Sequence, residues 1–226
     1  MKIDSNKFLL TVITPTIGRS NLDRLVESID SQTISNKIFH LIMWDEYRES
    51  GSKMPENYNS ERRWSINLPW GMGKNGSAPG SPLRAVGLNA CDTPYVTFAD
   101  DDVIWKEDHA ETMLNAVEGK NWACCLRNMY SPSGEYFGVD RFESVGDSPE
   151  RKVPYELLDG NTMIFKREFG LVASQFYRST QDRNDDRLLY AFLKENAGEL
   201  GRTNKATINH ICPEFLVNFF KENCTL

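Results

Sequence analysis

Short apolar runs alternate with helix-like patterns in the first half of the chain. Residues 8–14 form a partly β-branched apolar run, which predicts a buried strand. Four apolar residues then recur at helical spacing: Leu22, Leu25, Val26 and Ile29. They predict a helix over residues 21–32 with Ser20 as its N-cap. Residues 38–44 predict a second strand, and a strand, helix and strand in succession indicate a βαβ unit with a parallel sheet.

The remaining pattern predicts more strands and helices in a mixed order. We expect strands at 63–68, 95–99, 122–129, 135–138 and 162–165, and helices at 83–90, 106–117 and 185–196. Residues 215–220 are amphipathic and should pack back on the core. The fold class is therefore α/β, with a mostly parallel central sheet flanked by helices in the first half and a mixed second half.

Composition narrows the class of protein. The longest apolar run, residues 38–44, is far shorter than the ~20 residues of a membrane helix. The first seven residues are polar and contain no secretory signal, so a cytoplasmic protein without a membrane span is expected. A formal net charge of −6 disfavours a nucleic-acid partner, although a short diphosphate could still be neutralised by a metal ion and one or two arginines. The five cysteines form no Cys-x-x-Cys pair, which predicts reduced, mostly buried thiols.

The acidic triplet Asp100-Asp101-Asp102 is the strongest chemical feature of the sequence. It follows the predicted strand YVTFA, and ligands of open α/β sheets bind beyond the carboxyl ends of the strands. Adjacent carboxylates repel one another unless a cation offsets their charge. Side chains alternate along an extended segment, so Asp100 and Asp102 should share one side and offer oxygens to Mg²⁺ or Mn²⁺. The alternative is a solvated turn that caps the next helix.

Other candidate residues have weaker signals. Asp185 and Asp186 open a predicted helix. Their carboxylates either interact favourably with the helix dipole, or one of them is a general base. Lys74 lies in the Gly/Pro-rich loop 69–82, and Arg84 follows it closely. The loop is not a P-loop, and it is either a generic flexible loop or lies close to a phosphate. Three histidines are present: His40 should pack within a strand, His109 should face solvent, and His210 could ligate a metal.

Three segments resemble, in order, the motifs of family 2-like glycosyltransferases of the GT-A fold. VITPTIGRSNLDRLVESIDSQT resembles the family's first strand, Pro-Thr turn and helix. SPLRAVGLNACDTPYVTFADDD resembles its Arg-bearing helix, apolar strand and Asp-x-Asp motif, and NDDRLLYAFLKENAG resembles its later acidic-pair helix. The resemblance covers about residues 8–200. It implies one GT-A domain over 1–226, with a nucleotide-binding half (1–102) and an acceptor-binding half (103–226).

The resemblance implies a role for each matching residue in transfer from a nucleotide-diphosphate sugar, with UDP-linked donors favoured, to an acceptor hydroxyl of a carbohydrate or glycan. The residues implied to bind the donor nucleotide are Pro15, Thr16, Ile17, Arg19, Asp45, Arg84, Asp100 and Asp101. Asp102, Asp100 and His210 would hold Mn²⁺ or Mg²⁺. Asp186 would be the general base of an inverting transfer, with Asp185 as its acidic neighbour. One departure is the end of the second strand, where Trp44-Asp45-Glu46 replaces the usual Asp-Asp-Gly-Ser.

Two other interpretations stay open at this point. A sugar-phosphate nucleotidyltransferase also combines an α/β nucleotide domain with acidic metal ligands, but that class carries a Gly-rich loop after its first strand. Here that place holds Thr16-Ile17-Gly18-Arg19, with one glycine. The third interpretation is a catalytically inactive module that binds a nucleotide sugar. The leading hypothesis is a metal-dependent glycosyltransferase of the hexosyltransferase type.

Overall fold

The computed structural model of the chain describes residues 7–45, 58–68, 80–148, 156–177 and 184–225. Within these ranges ten strands form one sheet, flanked by six α-helices. The strands are β1 Leu10–Thr16, β2 Ile38–Asp45, β3 Arg63–Leu68, β4 Tyr95–Phe98, β5 Val103–Trp105, β6 Trp122–Tyr130, β7 Tyr136–Asp140, β8 Met163–Lys166, β9 Leu200–Ile211 and β10 Cys224–Thr225. The helices are α1 Leu22–Asp30, α2 Ser81–Ala90, α3 His109–Val117, α4 Arg167–Ala173, α5 Asp185–Asn196 and α6 Val217–Asn223.

The first half of the sheet is parallel, in the order β3-β2-β1-β4. Both of its faces are covered, since α1 and α3 contribute to the apolar cluster on one face and α2, α4 and α5 to that on the other. Every residue of β1 and β2 is buried as a result. Burial on both faces explains why these strands are continuous apolar runs instead of alternating ones.

The second half of the sheet is mixed, as the sequence pattern predicts. Strand β8 lies antiparallel between β4 and β6, and β7 and β10 continue the antiparallel edge. The long strand β9 runs parallel to β6 and ends antiparallel to β5. Helix α6 buries Val217 and Phe220 against Phe142, so the amphipathic stretch 215–220 does pack on the core. The predicted α/β architecture is confirmed.

Two local predictions are wrong. Helix α1 begins at Leu22 behind Asn21, so Ser20 is not its N-cap. His109 is 1% exposed and does not face solvent. Its ring packs 4.2 Å from the Trp105 ring, centroid to centroid, and its Nδ1 lies 2.8 Å from the Thr207 hydroxyl. The cause is β9, a strand longer than the sequence pattern indicates, which covers the start of α3.

The sequence pattern does not predict three short elements, because they have too few residues. Strands β5 and β10 have three and two residues, and helix α4 has seven, which is too few for a clear period.

All five cysteines are thiols and four of them are buried, as expected. Among the helices of the described ranges, none has the length and apolar composition needed to cross a membrane.

Candidate active site

The carboxyl ends of β1, β2 and β4 lie side by side and carry the first group of predicted site residues. Thr16 ends β1, and its hydroxyl donates to Asp101 Oδ2 at 2.7 Å. Arg19 donates to the other oxygen of Asp101 at 3.1 Å. Asp45 ends β2, one residue beyond Trp44, which is the register partner of Thr16. The structure therefore brings Thr16, Arg19 and Asp101 into direct contact and places Asp45 at the same edge of the sheet.

The turn after β1 is shaped by Gly18. Its φ is +83°, a conformation that favours glycine, and a Cβ there would lie 2.5 Å from the Trp44 indole ring. The tight turn lets Gly18 N donate to the Thr16 hydroxyl at 2.9 Å. Pro15 is buried, whereas Ile17 and Arg19 are exposed beside it. The resulting surface has a buried polar floor and an exposed apolar and cationic rim.

Asp100 is held by two residues from different parts of the chain. Arg84, on α2, donates to Asp100 Oδ1 at 2.5 Å. The amide nitrogen of Asn161 donates to Asp100 Oδ2 at 3.1 Å, and the amide oxygen of Asn161 accepts the Asp100 backbone N–H at 2.6 Å. The guanidinium of Arg84 also lies over the Phe98 and Tyr177 rings, 5.5 and 6.0 Å from their centroids. Asp100 is therefore fixed in its main chain and its side chain.

One side-chain atom of Asp102 and one of His210 face each other, and neither has a hydrogen-bond partner among the described residues. Asp102 Oδ1 and His210 Nδ1 are both buried and lie 4.0 Å apart. The antiparallel pairing of β5 with β9 brings them together, since Val103 is the register partner of His210. Burial, with Asp100 and Asp101 nearby, raises the pKa of Asp102 to about 7. Burial, aided by Arg127, lowers the pKa of His210 to about 4, so its imidazole is neutral.

This orphaned pair fits a divalent cation. A neutral imidazole and a carboxylate are ordinary ligands of Mn²⁺, and a cation would counter the burial and the neighbouring negative charges that raise the pKa of Asp102. In the described part of the chain no group of three His, Cys, Asp or Glu side chains is arranged around a common metal position. Asp102 and His210 would thus supply two ligands and leave the others to substrate or water, as is usual for Mg²⁺.

Asp186 lies at the start of α5, where its carboxylate accepts two hydrogen bonds. Tyr177 donates to Oδ1 at 3.0 Å, and the backbone N–H of Gly160 donates to Oδ2 at 3.1 Å. Burial raises the pKa of Asp186 to about 7, and Asp159 and Asp185 add to the rise while Arg84 opposes it. Asp185 is buried, accepts a hydrogen bond from the Ser81 hydroxyl and accepts another from the Asp186 backbone N–H. A carboxyl group that titrates near neutral pH suits proton transfer.

A buried arginine lies behind the site. Arg127 is 1% exposed and donates to Asp140, Glu143 and Asp159 at 2.9, 2.5 and 2.7 Å. Burial alone would raise the pKa of Asp159, but the Arg127 guanidinium together with the hydrogen bonds from Asn161 lowers that pKa to about 2. Asp159 accepts hydrogen bonds in turn from the backbone N–H and side chain of Asn161. The cluster is therefore an anchor for the residues that contact Asp100.

Sequence reasoning missed several of these contacts. Asp159, Gly160, Asn161, Tyr177 and Arg127 were not candidates, although they hold the two acidic groups that were. One signal was available: Asp159 to Thr162 is a short polar segment directly before an apolar strand. Among the predicted features, Lys74 and most of the Gly/Pro-rich loop lie outside the described residues, as does Glu46 after Asp45.

Comparisons with known proteins identify the fold. No protein-family model matches the sequence, and no curated protein matches it. Solved structures do match in three dimensions. TarS of S. aureus superposes with a TM-score of 0.67 at 16% identity, over 91% of this chain and 37% of that chain. TarS 1-349 in complex with UDP gives 0.65 at 17% identity, over 91% and 61% of the two chains, and its complex with UDP-GlcNAc gives 0.64 at 15%, over 97% and 62%.

The chain spans less than two thirds of the length of these matching structures. At 15 to 17% identity the likeness is one of architecture, and it covers nearly all of the described strands and helices. TarS is a GT-A-type glycosyltransferase. The parallel first half and the mixed second half of the sheet match this architecture, and the chain therefore has the GT-A glycosyltransferase fold.

Proposed function

We propose that the protein is a metal-dependent glycosyltransferase that moves a sugar from a nucleotide-diphosphate donor, UDP-linked, to a hydroxyl of a carbohydrate or glycan acceptor. The observation that carries the proposal is the buried, unpartnered pair of Asp102 Oδ1 and His210 Nδ1 beside the Asp100–Arg84 ion pair. A cation bound there, next to the half-buried Arg84, would suit a diphosphate. The complexes of TarS with UDP and UDP-GlcNAc support the choice of donor, since TarS shares the fold.

The donor nucleotide would bind across the ends of β1 and β2. Pro15, Ile17 and Arg19 offer apolar and cationic contacts, while Thr16 and Asp101 form the polar floor. Asp45 would accept a hydrogen bond from the base or ribose at the neighbouring strand end. This arrangement follows the general position of ligands at the carboxyl edge of parallel strands.

Asp102 and His210 would hold the metal, and Asp100, whose carboxylate oxygens accept hydrogen bonds from Arg84 and Asn161, would lie beside it. A bound Mn²⁺ or Mg²⁺ supplies positive charge to the leaving nucleoside diphosphate. Arg84 adds a fixed cation from α2, and its ion pair with Asp100 keeps both groups oriented before the donor arrives. The pre-formed charge lowers the reorganisation needed when negative charge develops on the leaving group.

Asp186 would act as the general base of an inverting transfer. Its carboxylate would take the proton of the acceptor hydroxyl while that oxygen attacks the anomeric carbon from the side opposite the diphosphate. The hydrogen bonds from Tyr177 and Gly160 keep the carboxylate in place, and Asp185 is fixed by Ser81 at the start of α2. The half of the chain after residue 102 would bind the acceptor.

Calorimetric titration with UDP and with GDP tests the proposal, each in Mn²⁺ and again in EDTA. We expect micromolar binding of UDP that requires the metal, and loss of that requirement in Asp102→Ala. Asp147→Ala is a matched control, because this exposed carboxylate pairs only with surface cations, Lys194 and Arg202, in the described structure. Failure of both nucleotides to bind under all four conditions would overturn the proposal.

Turnover separates the remaining interpretations. Release of UDP from a UDP-sugar supports the transferase, whereas pyrophosphate release from a nucleoside triphosphate and a sugar phosphate would indicate a nucleotidyltransferase. Donor binding without any turnover, unchanged by Asp186→Asn, would indicate an inactive binding module.

A further inference from the structure

One short turn contacts both acidic groups of the site. Residues 159–162, here called the 159–162 turn, lie between Leu158 and strand β8 and include a 3₁₀ turn, Gly160–Thr162. Strand β8 is antiparallel to β4, with Thr97 and Ile164 as register partners. The residues before β8 therefore lie beside the residues after β4, which include Asp100.

Asn161 is the part of this turn that contacts Asp100. Its side chain is 3% exposed and uses both of its ends, accepting the Asp100 backbone N–H at 2.6 Å and donating to Asp100 Oδ2 at 3.1 Å. The same amide nitrogen donates to Asp159 Oδ1 at 2.8 Å. An amide is the side chain that can satisfy a donor and an acceptor together in this place.

Gly160 is the part that contacts Asp186. Its backbone N–H donates to Asp186 Oδ2, and a Cβ on Gly160 would lie 2.9 Å from Asp186 Oδ1 and 3.3 Å from the Phe98 ring. The carboxylate therefore occupies space that any side chain at position 160 would take. Gly160 and Asn161 are consecutive in one turn and thus contact the carboxylates of Asp186 and Asp100. In the proposed function, Asp100 lies near the donor diphosphate and Asp186 takes the proton of the acceptor.

The turn is itself fixed to the interior. Asp159 accepts a hydrogen bond from Arg127 at 2.7 Å, and its backbone N–H donates to the Glu143 carbonyl at 2.7 Å. Arg127 is further held by Asp140 and Glu143. A rigid, buried support of this kind is what a site needs to keep its groups within a fraction of an ångström.

We propose that the 159–162 turn is the positioning element that sets the separation between the Asp100 and Asp186 carboxylates, with Asn161 as the positioning residue for Asp100. The inference rests on the proposed function for its catalytic meaning. Its structural content is independent of that function, since it concerns only where the two carboxylates lie.

The test compares Asn161→Ala with Asn121→Ala. Asn121 is a matched control because it is a partly buried amide that donates one hydrogen bond, to the Ala197 carbonyl, and has no contact with either carboxylate among the described residues. We expect Asn161→Ala to weaken Mn²⁺-dependent UDP binding by about 10- to 100-fold, as outer-shell changes at metal sites do. Asn121→Ala should leave Mn²⁺-dependent UDP binding unchanged.

Crystal structures of the wild-type protein and of Asn161→Ala without nucleotide provide the second readout. A shifted Asp100 carboxylate, with Asp186 in place, supports the proposal; an unmoved Asp100 overturns it. Gly160→Ala should displace Asp186 instead and lower kcat for transfer while leaving Mn²⁺-dependent UDP binding intact. If the wild-type protein binds no nucleotide, the proposed function fails, and the crystal comparison still decides whether the turn positions the two groups.

Discussion

At the scale of single residues, burial decides which groups are charged. It lowers the pKa of His40 and His109 to about 3, and it raises the pKa of Asp186 to about 7 against the opposing charge of Arg84. The two histidines are packing residues and stay neutral in the folded protein. Asp186 changes charge near neutral pH because burial disfavours its charged form and the positive charge of Arg84 offsets only part of that effect; a carboxyl group with such a pKa is suited to act as a base at that pH.

Asp186→Asn should lower kcat for transfer by about 10² to 10⁴ while donor binding stays unchanged, since a general base acts on the acceptor proton. In the wild-type protein, kcat should rise with pH through an apparent pKa of about 7, because only the ionised carboxylate accepts a proton. Steady-state kinetics at several pH values measure both effects. Asp147→Asn is the control, and an Asp186→Asn protein with wild-type kcat would remove Asp186 from the mechanism.

His109→Phe should make the protein less sensitive to acid. The pKa of His109 is about 3 in the folded state and about 6.5 in the unfolded state, so acid favours the unfolded chain. This stability is present above pH 6.5 and is lost as the pH falls toward 3. Between pH 7.5 and 5.5 the loss is about 1.4 kcal/mol for one such histidine.

Urea unfolding at these two pH values measures the difference. Phenylalanine keeps the ring against Trp105 but cannot titrate, so the pH-dependent loss should shrink by that amount relative to wild type. Thr207→Val removes the same hydrogen bond and keeps the histidine, so its pH dependence should match wild type. Equal pH dependence in His109→Phe and wild type would contradict a neutral, buried His109.

At the scale of elements, the pairing of distant strands assembles the site. Strand β9 carries His210 to Asp102 by pairing with β5, and β8 carries the 159–162 turn to Asp100 by pairing with β4. Helix α2 brings Arg84 to Asp100 from the other side. The site therefore depends on two strand pairings that join residues more than fifty positions apart in the chain, and a small shift of β9 would move one of the proposed metal ligands.

Gly201→Ala should reveal how closely β9 is held against α3. A Cβ at position 201 would lie 2.2 Å from the Ala116 carbonyl oxygen, which is main chain and cannot rotate away. We expect a loss of about 3 kcal/mol in the free energy of unfolding, at the upper end of overpacking effects. Chemical denaturation measures it. Lys205→Ala, at an exposed position on the same strand, should have little effect, and a neutral Gly201→Ala would show that β9 can separate from α3.

At the scale of the whole molecule, binding of UDP and Mn²⁺ should raise the thermal stability of the protein. The proposed binding residues come from both halves of the sheet, so they are together only in the folded chain. UDP and Mn²⁺ at 100 times their dissociation constant should add about 2.7 kcal/mol. For a chain of this size that corresponds to a rise of roughly 5 to 10 °C in Tm. Scanning calorimetry measures it. UDP in EDTA should produce a smaller rise, and an equal rise would argue against a metal in the donor site.

Short stretches of the sequence by themselves determined several of the strands and helices of this protein. The apolar runs of β1 and β2, the helical spacing of α1 and the acidic pair that opens α5 are all encoded over a few residues, so their elements were predictable. The edge at which Thr16, Asp45 and Asp100 meet follows from the same information, because parallel strands end at a common edge.

The tertiary structure alone decided which distant residues complete that edge. Antiparallel pairing of β8 with β4 and of β9 with β5 depends on contacts between residues 66 or more positions apart, to which no local period corresponds. Asn161, Gly160 and the Arg127 cluster entered the site through those pairings. Burial then made His109 a packing residue and left Asp102 Oδ1 and His210 Nδ1 without a hydrogen-bond partner in the described part of the chain, since accessibility is a property of the folded chain and not of any segment within it.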